Sequence, residues 1–207
     1  MIDLQDQRLC RIKKEILDIF TKYMPPESNE IFKTFYLPSA IRAKNKSLIE
    51  YILNQNALCN DDVLFDAVKT LDIDIVNMIL NKNSEPFFIN QISNQGTALN
   101  LAVSSNNNEI VKRLLSIPGI DPSLYEENGN TPLITAITKL NIEITNLLLD
   151  FYGQNLKSQS WQLNKAIQII LSNNSLRKKQ KSEFFSVLNR LLEIDIIDLN
   201  CHEYSLL

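Results

Sequence analysis

The chain has 207 residues, of which 44% are hydrophobic and 22% charged, and its 21 basic and 24 acidic residues give a formal net charge of −3. That balance argues against the basic footprint of a nucleic-acid binder. Cys10, Cys59 and Cys201 are odd in number, far apart and outside any C-x-x-C spacing, which excludes a disulfide framework and reads as reduced core thiols of an intracellular protein.

Residues 3–23 are predicted to form an amphipathic helix. Leu9, Ile12, Ile16, Leu17, Phe20 and Tyr23 form its apolar stripe, and Pro25-Pro26 ends it. The opposite face (Arg11, Lys13, Lys14, Glu15, Asp18) has mixed charges, which suits solvent better than a membrane surface. Met1–Asp6 has no basic start followed by an apolar run, so no signal peptide is expected. No apolar run approaches the roughly 18 residues needed to cross a bilayer.

From residue 35 onward one pattern repeats. A Leu is followed three residues later by Ala, then by aliphatics eight, nine, twelve and thirteen residues past that Ala. The copies are Leu37/Ala40/Leu48/Ile49/Ile52/Leu53, Leu64/Ala67/Ile75/Val76/Ile79/Leu80, Leu99/Ala102/Ile110/Val111/Leu114/Leu115 and Leu133/Ala136/Ile144/Thr145/Leu148/Leu149. Thr145 is the polar intruder. The anchor alanines stand 27, 35 and 34 positions apart, and a period in the thirties marks a solenoid. Each unit reads as two short helices. Leu and Ala share one face of the first, and the aliphatics form a stripe on the second. Asn45, Asp72, Asn107 and Asn141 recur between the helices as N-cap residues. Ser47, Asp74, Glu109 and Glu143 follow two places later, at the positive end of the second helix.

Links between units differ in length. The long ones carry turn material, Ser93-Asn94-Gln95-Gly96 and Glu126-Glu127-Asn128-Gly129-Asn130, suited to hairpin-like fingers. A fifth copy opens at Leu163/Ala166 and finishes at Val187/Leu188/Leu191/Leu192, so an insertion of 13 residues fits, near 173–182. Ser182 is expected to cap its delayed second helix. Ser205-Leu206-Leu207 aligns with the opening of a sixth copy, which reads as either a boundary within a longer array or a short cap, the boundary being favoured. The expected organisation is a capping helix and half-repeat over 1–34, then about five repeats over 35–207.

Asn128-Gly129-Asn130-Thr131-Pro132-Leu133-Ile134-Thr135-Ala136 resembles the G-x-T-P-L-H-x-A signature of ankyrin repeats. Gly96-Thr97-Ala98-Leu99-Asn100-Leu101-Ala102 is similar, with its Gly one place late. Asn108–Leu115 resembles the family's second helix, and Ile117-Pro118-Gly119-Ile120-Asp121 the loop after it. The resemblance covers roughly 35–207, and the Asn- and Ile-rich composition is similar to that of ankyrin proteins of protists or intracellular bacteria. It implies an all-α ankyrin-repeat solenoid of stacked helix pairs with short β-hairpin-like fingers. Departures are plain. The signature His is Asn100 and Ile134 here, so its turn hydrogen bonds are expected to be lost. The usual inter-helix Gly is Lys44, Leu71, Asn106 and Leu140. Of these Asn106 tolerates a left-handed backbone, whereas Leu71 and Leu140 are poor choices for one. Copies one and two lack T-P-L, so irregular repeats are expected.

The resemblance also implies a non-catalytic protein-interaction module that holds a macromolecular partner at its finger tips and on its concave face. By alignment the contact residues are Tyr125, Glu127, Asn128, Asn130, Thr138 and Lys139 in copy four, Ser93, Asn94, Ser104 and Ser105 in copy three, and Lys69 and Thr70 in copy two. Tyr125 is the favoured anchor, an amphipathic aromatic. Other readings stay open: the targeting part of a larger effector or enzyme, or a structural spacer or self-associating array. A protein partner, a monomer and no cofactor, small-molecule substrate or nucleic acid are expected, in the cytoplasm or secreted into a host cytosol.

Arg177-Lys178-Lys179-Gln180-Lys181 reads as a solvated loop that could attract an acidic partner, lipid headgroup or RNA. The only histidine, His202, lies beside Cys201. Adjacent residues rarely point at each other, and a nucleophile pair needs an orienting third group. Glu126 and Glu127 are read as finger solvation, Asp72 and Asp74 as helix capping, and Trp161 as core packing. No nucleophile elbow, P-loop, zincin or dinucleotide motif occurs, and no set of metal ligands is indicated.

Overall fold

The computed structural model describes residues 36–54, 62–93, 95–152, 160–172 and 178–193. The expected helix over 3–23, the three cysteines, Asn94, Arg177, His202 and the start of a sixth copy lie outside these residues. Among the described residues the chain is helical, with no strand beyond one isolated bridge, Ser93 to Gly96. In chain order the helices are α1 (Leu37–Arg42), α2 (Lys46–Asn54), α3 (Val63–Lys69), α4 (Ile73–Lys82), α5 (Pro86–Ile89), α6 (Ala98–Ser104), α7 (Asn108–Leu115), α8 (Pro132–Thr138), α9 (Ile142–Tyr152), α10 (Ser160–Ser172) and α11 (Lys178–Glu193).

They fall into two compact units, one of residues 1–70 and 74–83, the other of 71–73 and 84–207. In the first, α1 packs on α2 and on α3. In the second, first helices stack on first helices, α6 on α8 and α8 on α10. Second helices do likewise, α7 on α9 and α9 on α11. The repeat pattern predicts this arrangement, and burial follows it. Every anchor Leu and Ala of copies one to four is buried, as are Ala166, Val187 and Leu191 of the fifth. Small Ala at the contact face lets neighbouring helix axes come close. The intruder Thr145 is fully buried, and its hydroxyl donates to the Asn141 carbonyl at 2.7 Å.

The turn between the two helices has the same left-handed backbone in copies one to four, and in copies one, three and four it is one hydrogen-bonded device. Lys44, Leu71, Asn106 and Leu140 all have positive φ, between 52° and 58°. Leu71 and Leu140 therefore adopt the left-handed backbone that leucine disfavours. The reason lies in the hydrogen bonds. With that residue left-handed, Asn45, Asn107 and Asn141 N–H reach back to the anchor carbonyls of Ala40, Ala102 and Ala136, at 3.0, 3.2 and 3.0 Å. Lys44, Asn106 and Leu140 N–H bond Ile41, Val103 and Ile137 oxygens at 2.8, 3.0 and 3.0 Å. This is the Schellman closure that satisfies orphan carbonyls. The same Asn residues then cap the second helix. Their Oδ1 accepts from Leu48, Ile110 and Ile144 N–H at 3.2, 3.0 and 3.0 Å.

The link from Leu80 to Leu99 holds a short helix, α5, that periodicity does not reveal. Asn90 at its end clamps the loop of the next repeat: its Nδ2 donates to Gly119 O and its Oδ1 accepts from Asp121 N, both at 2.8 Å. Gly119 has φ +85°, and a Cβ there would meet Pro86 Cγ at 2.9 Å, so no other residue fits without movement. The insertion in copy five is largely absorbed by lengthening. α10 has 13 residues and α11 has 16, against 7 and 8 in copy three. Ser182 therefore lies inside α11 and does not start it. Lys178-Lys179-Gln180-Lys181 form the first turn of that helix and are not loop.

Two outcomes follow, one from these turns and one from a buried tyrosine. Replacing Lys44 or exposed Leu71 (52% accessible) by Gly relieves left-handed strain of about 1–2 kcal/mol, less about 0.4–1 kcal/mol of added chain entropy. Thermal melting is expected to move up by a few degrees for each, and a fall for both contradicts the turn geometry. The second concerns Tyr152, whose hydroxyl donates to Pro122 O at 2.6 Å. Burial, aided by the negative charge of Asp121, raises its pKa well above the ordinary tyrosine value. The unfolded tyrosine ionises first, so this stability is present below about pH 10 and is lost as pH rises further. Denaturant midpoints should drop more steeply between about pH 9 and pH 11 in the parent than in Tyr152→Phe. Equal slopes would contradict it.

Candidate partner-binding groove

In the second unit the segment before α8 folds back on itself. Glu126 N–H donates to Asn130 O at 3.0 Å and Gly129 N–H to Glu126 O at 2.8 Å. Asn130 N–H donates to Asn128 Oδ1 at 2.8 Å, and Asn128 Nδ2 to Glu126 Oε2 at 3.1 Å. The finger before α6 is shorter. Ser93 and Gly96 exchange backbone bonds at 2.9 and 3.0 Å, and Ser93 Oγ donates to Gly96 O.

Between these fingers and α6 lies a groove of about 360 Å³, lined by Gln95, Leu101, Ser104, Glu126, Glu127 and Asn128. Leu101 gives it an apolar patch, and each of the other lining side chains carries a polar group. Glu126 is its structural centre. Its side chain is half-buried, and Oε1 accepts from Ser104 Oγ and from Thr135 Oγ1, each at 3.5 Å. Both are long contacts to neutral donors. Glu126 thus touches α6, α8 and its own finger, which corrects its reading as finger solvation. Gly96 makes this approach possible. It has φ +85°, and a Cβ on it would lie 2.9 Å from Glu126 Cγ and 3.0 Å from Asn100 Cγ.

Of the residues expected at a partner surface, Ser104, Glu127 and Asn128 line the groove. Ser93 is half-buried beside it in sequence, and Ser105 is exposed at the end of α6. Tyr125 is 59% accessible but does not line the groove. Thr138 and Lys139 are exposed at the end of α8, where the Thr138 hydroxyl donates back to Ile134 O at 2.8 Å. Asn130 ties the finger to its neighbours: its Oδ1 accepts from Lys165 Nζ of α10 at 2.9 Å, and its carbonyl from Asn100 Nδ2 at 3.5 Å. In the first unit, Lys69 is exposed with its ammonium 4.7 Å from the Phe65 ring centre. Thr70 is buried, 7% accessible, and its hydroxyl is held by Ala67 O at 2.7 Å. That position offers a partner almost nothing. Trp161 lies in α10.

Asn100 corrects a second expectation. It is fully buried, its Oδ1 accepts from Thr97 N at 3.0 Å and from Thr97 Oγ1 at 2.6 Å, and its own N–H donates to Thr97 Oγ1 at 3.3 Å. This reciprocal capping box replaces the turn bonds of the signature histidine. Ile134 is fully buried as well, and an isoleucine side chain makes no such bonds.

Sequence reasoning does not single out Gln95, Leu101 or Glu126 as lining residues. Leu101 is legible in principle, since it lies two residues past the anchor Leu99, off the buried stripe. Glu126 is not, because only the folded finger brings it over α6. Among the described residues, no group of three or more His, Cys, Asp or Glu is placed to hold a metal ion. No described helix is long and apolar enough to cross a membrane.

Comparison with known proteins agrees with the repeat geometry. Residues 64–160 match the ankyrin repeat family in three copies. The human Transient receptor potential cation channel subfamily A member 1 is 31% identical over 153 residues, 70% of this chain and 14% of that protein. A protein of Fowlpox virus (strain NVSL) named for ankyrin repeats is 30% identical over 89 residues, 42% of this chain and 20% of the relative. The chain thus spans only a small part of the length of either. The matched stretch begins at Leu64, the anchor of copy two, and runs through copies three and four, where capping, Schellman closure and helix stacking recur in register. Residues 64–160 of the chain are ankyrin repeats.

Proposed function

We propose that the chain is a non-catalytic recognition module that binds a protein partner on the inner, concave face of its second unit. Ankyrin repeats are protein-interaction modules, and one observation carries the finer reading: a groove of about 360 Å³, of mixed polar and apolar lining, between two fingers and α6. Its walls are held by backbone bonds within each finger and by Glu126, so little ordering entropy is lost when a partner docks. Tyr125, Thr138 and Lys139 of copy four are exposed and extend the contact surface in this reading. We place the protein inside a cell, its own or a host's, as a monomer, with no cofactor or nucleic acid required.

A second reading nests inside the first. In both relatives the matched stretch is a fraction of a longer protein, and this array fits the targeting portion of a larger effector or enzyme equally well. Channel activity belongs to the human relative and is not carried over.

An affinity pull-down comparing the parent with the double variant Tyr125→Ala/Lys139→Glu tests the surface. Both side chains are exposed, so the fold should survive. Partner recovery is expected to fall about tenfold, a loss of about 1.4 kcal/mol. Equal recovery of the same proteins by both baits would overturn the assignment of this face.

A further inference from the structure

We propose that the groove between the fingers and α6 takes an arginine side chain of the partner protein, presented from an extended segment; this rests on the proposed function above. The lining residues carry two carboxylates, Glu126 and Glu127, and no basic side chain. The contacts of the Glu126 carboxylate are to neutral groups, Ser104, Thr135 and Asn128. Those donors hold the carboxylate in place and leave its charge uncompensated. It is half-buried, so an incoming cation meets it partly shielded from solvent, where charge–charge attraction is stronger than at an open surface. Glu127 is exposed at the lip.

Shape selects among cations. Leu101 gives an apolar patch, against which a long aliphatic stem can lie while its charged head reaches the acids. Gln95, Ser104 and Asn128 supply neutral acceptors around them. A guanidinium has five donors in a planar fork and can serve several acceptors at once. A lysine ammonium is a more strongly hydrated point charge, with three. A divalent metal is a poor fit, because the described residues place no third ligand with the two glutamates. Glu50, an exposed acid on α2 outside the lining, serves as a control.

The probe is a fluorescein-labelled, capped peptide carrying two arginines in a Gly-Ser backbone, with matched peptides bearing lysine or neutral citrulline. The 15N-labelled full chain is titrated with each, and affinity is read by anisotropy. Amide shifts are expected at Gln95, Leu101, Ser104 and Glu126–Asn128. The arginine peptide should bind about tenfold more tightly than the citrulline peptide and also more tightly than the lysine peptide. Its affinity should fall between about 50 and 200 mM salt. Glu126→Gln/Glu127→Gln should abolish the preference, while Glu50→Gln keeps it. Gln retains the acceptor oxygen facing Ser104 and Thr135. Should the double variant fail to fold, Glu127→Gln alone is expected to cut the preference about threefold. Equal binding of arginine and citrulline peptides, a preference surviving in the glutamine variant, or shifts confined to other surfaces would overturn the proposal. If arginine selectivity is absent while Tyr125→Ala/Lys139→Glu still loses its partner, the surface stands and its occupant is a different chemistry.

Discussion

The repeat depends on how its first helix is stopped. Six or seven residues after it begins, the helix must turn sharply and hand the chain to an antiparallel neighbour without leaving carbonyls bare. One residue in the left-handed region does this, and the residue after it then serves both helices. In copies one, three and four the N–H of that Asn closes the first helix on the anchor Ala carbonyl, and its side chain opens the second. Glycine is the cheapest occupant of the left-handed place. Here it is held by Lys44, Leu71, Asn106 and Leu140. The closure survives because two backbone bonds and a side-chain cap together outweigh about 1–2 kcal/mol of backbone strain.

Once the turn is set, neighbouring repeats are registered by polar contacts at the same height. Asn141 Nδ2 donates to Asn106 Oδ1 and Asn108 Oδ1, both at 3.3 Å, bridging the turns of copies three and four. Asn108 also donates to Glu143, and Lys112 Nζ reaches the other oxygen of that carboxylate at 2.7 Å. That lysine holds the Glu143 carboxyl below its usual pKa. In the first unit Lys46 meets Asp74 at 2.6 Å, and in the second Arg190 meets Asp150 at 2.5 Å and Asn146 at 2.7 Å. Such exposed pairs contribute little energy one at a time. Their value is positional. The apolar seam would tolerate sliding of one helix pair along the next, whereas an amide paired with an amide at a fixed height would not. Among the described residues no buried side-chain nitrogen or oxygen lacks a partner.

What is legible in the sequence follows from which forces are periodic. Helix burial repeats every few residues, so Leu99, Ala102, Ile110 and Leu114 announce themselves, and the Asn caps follow because they recur at one offset. The left-handed leucines are misjudged when propensity is weighed without the hydrogen bonds that fix the turn. Asn100 is misjudged when a missing histidine is equated with a missing bond, although an amide satisfies the same cap. Helix α5 escapes because four residues carry no period. Its support is long-range: Phe88 and Ile89 are buried, and Asn90 clamps a loop about thirty residues away. The lengths of α10 and α11 are hidden because a 13-residue offset is compatible with a loop or with longer helices, and only packing on α8 and α9 decides.

The groove is partly legible for the same reason. Finger residues that point outward can be picked by alignment, but the side chain that shapes the site cannot. Glu126 lies over α6 only because Gly96 has no Cβ to meet it. The glycine that stands one place late in copy three is thus a packing requirement set by the next repeat, not a drift of the motif. The Glu126 carboxylate braces the finger by accepting at both oxygens, Oε1 from Ser104 and Thr135 and Oε2 from Asn128, where a glutamine could accept at only one. All of those donors are neutral, so bracing leaves the negative charge, with that of Glu127 beside it, without a cation among the lining residues.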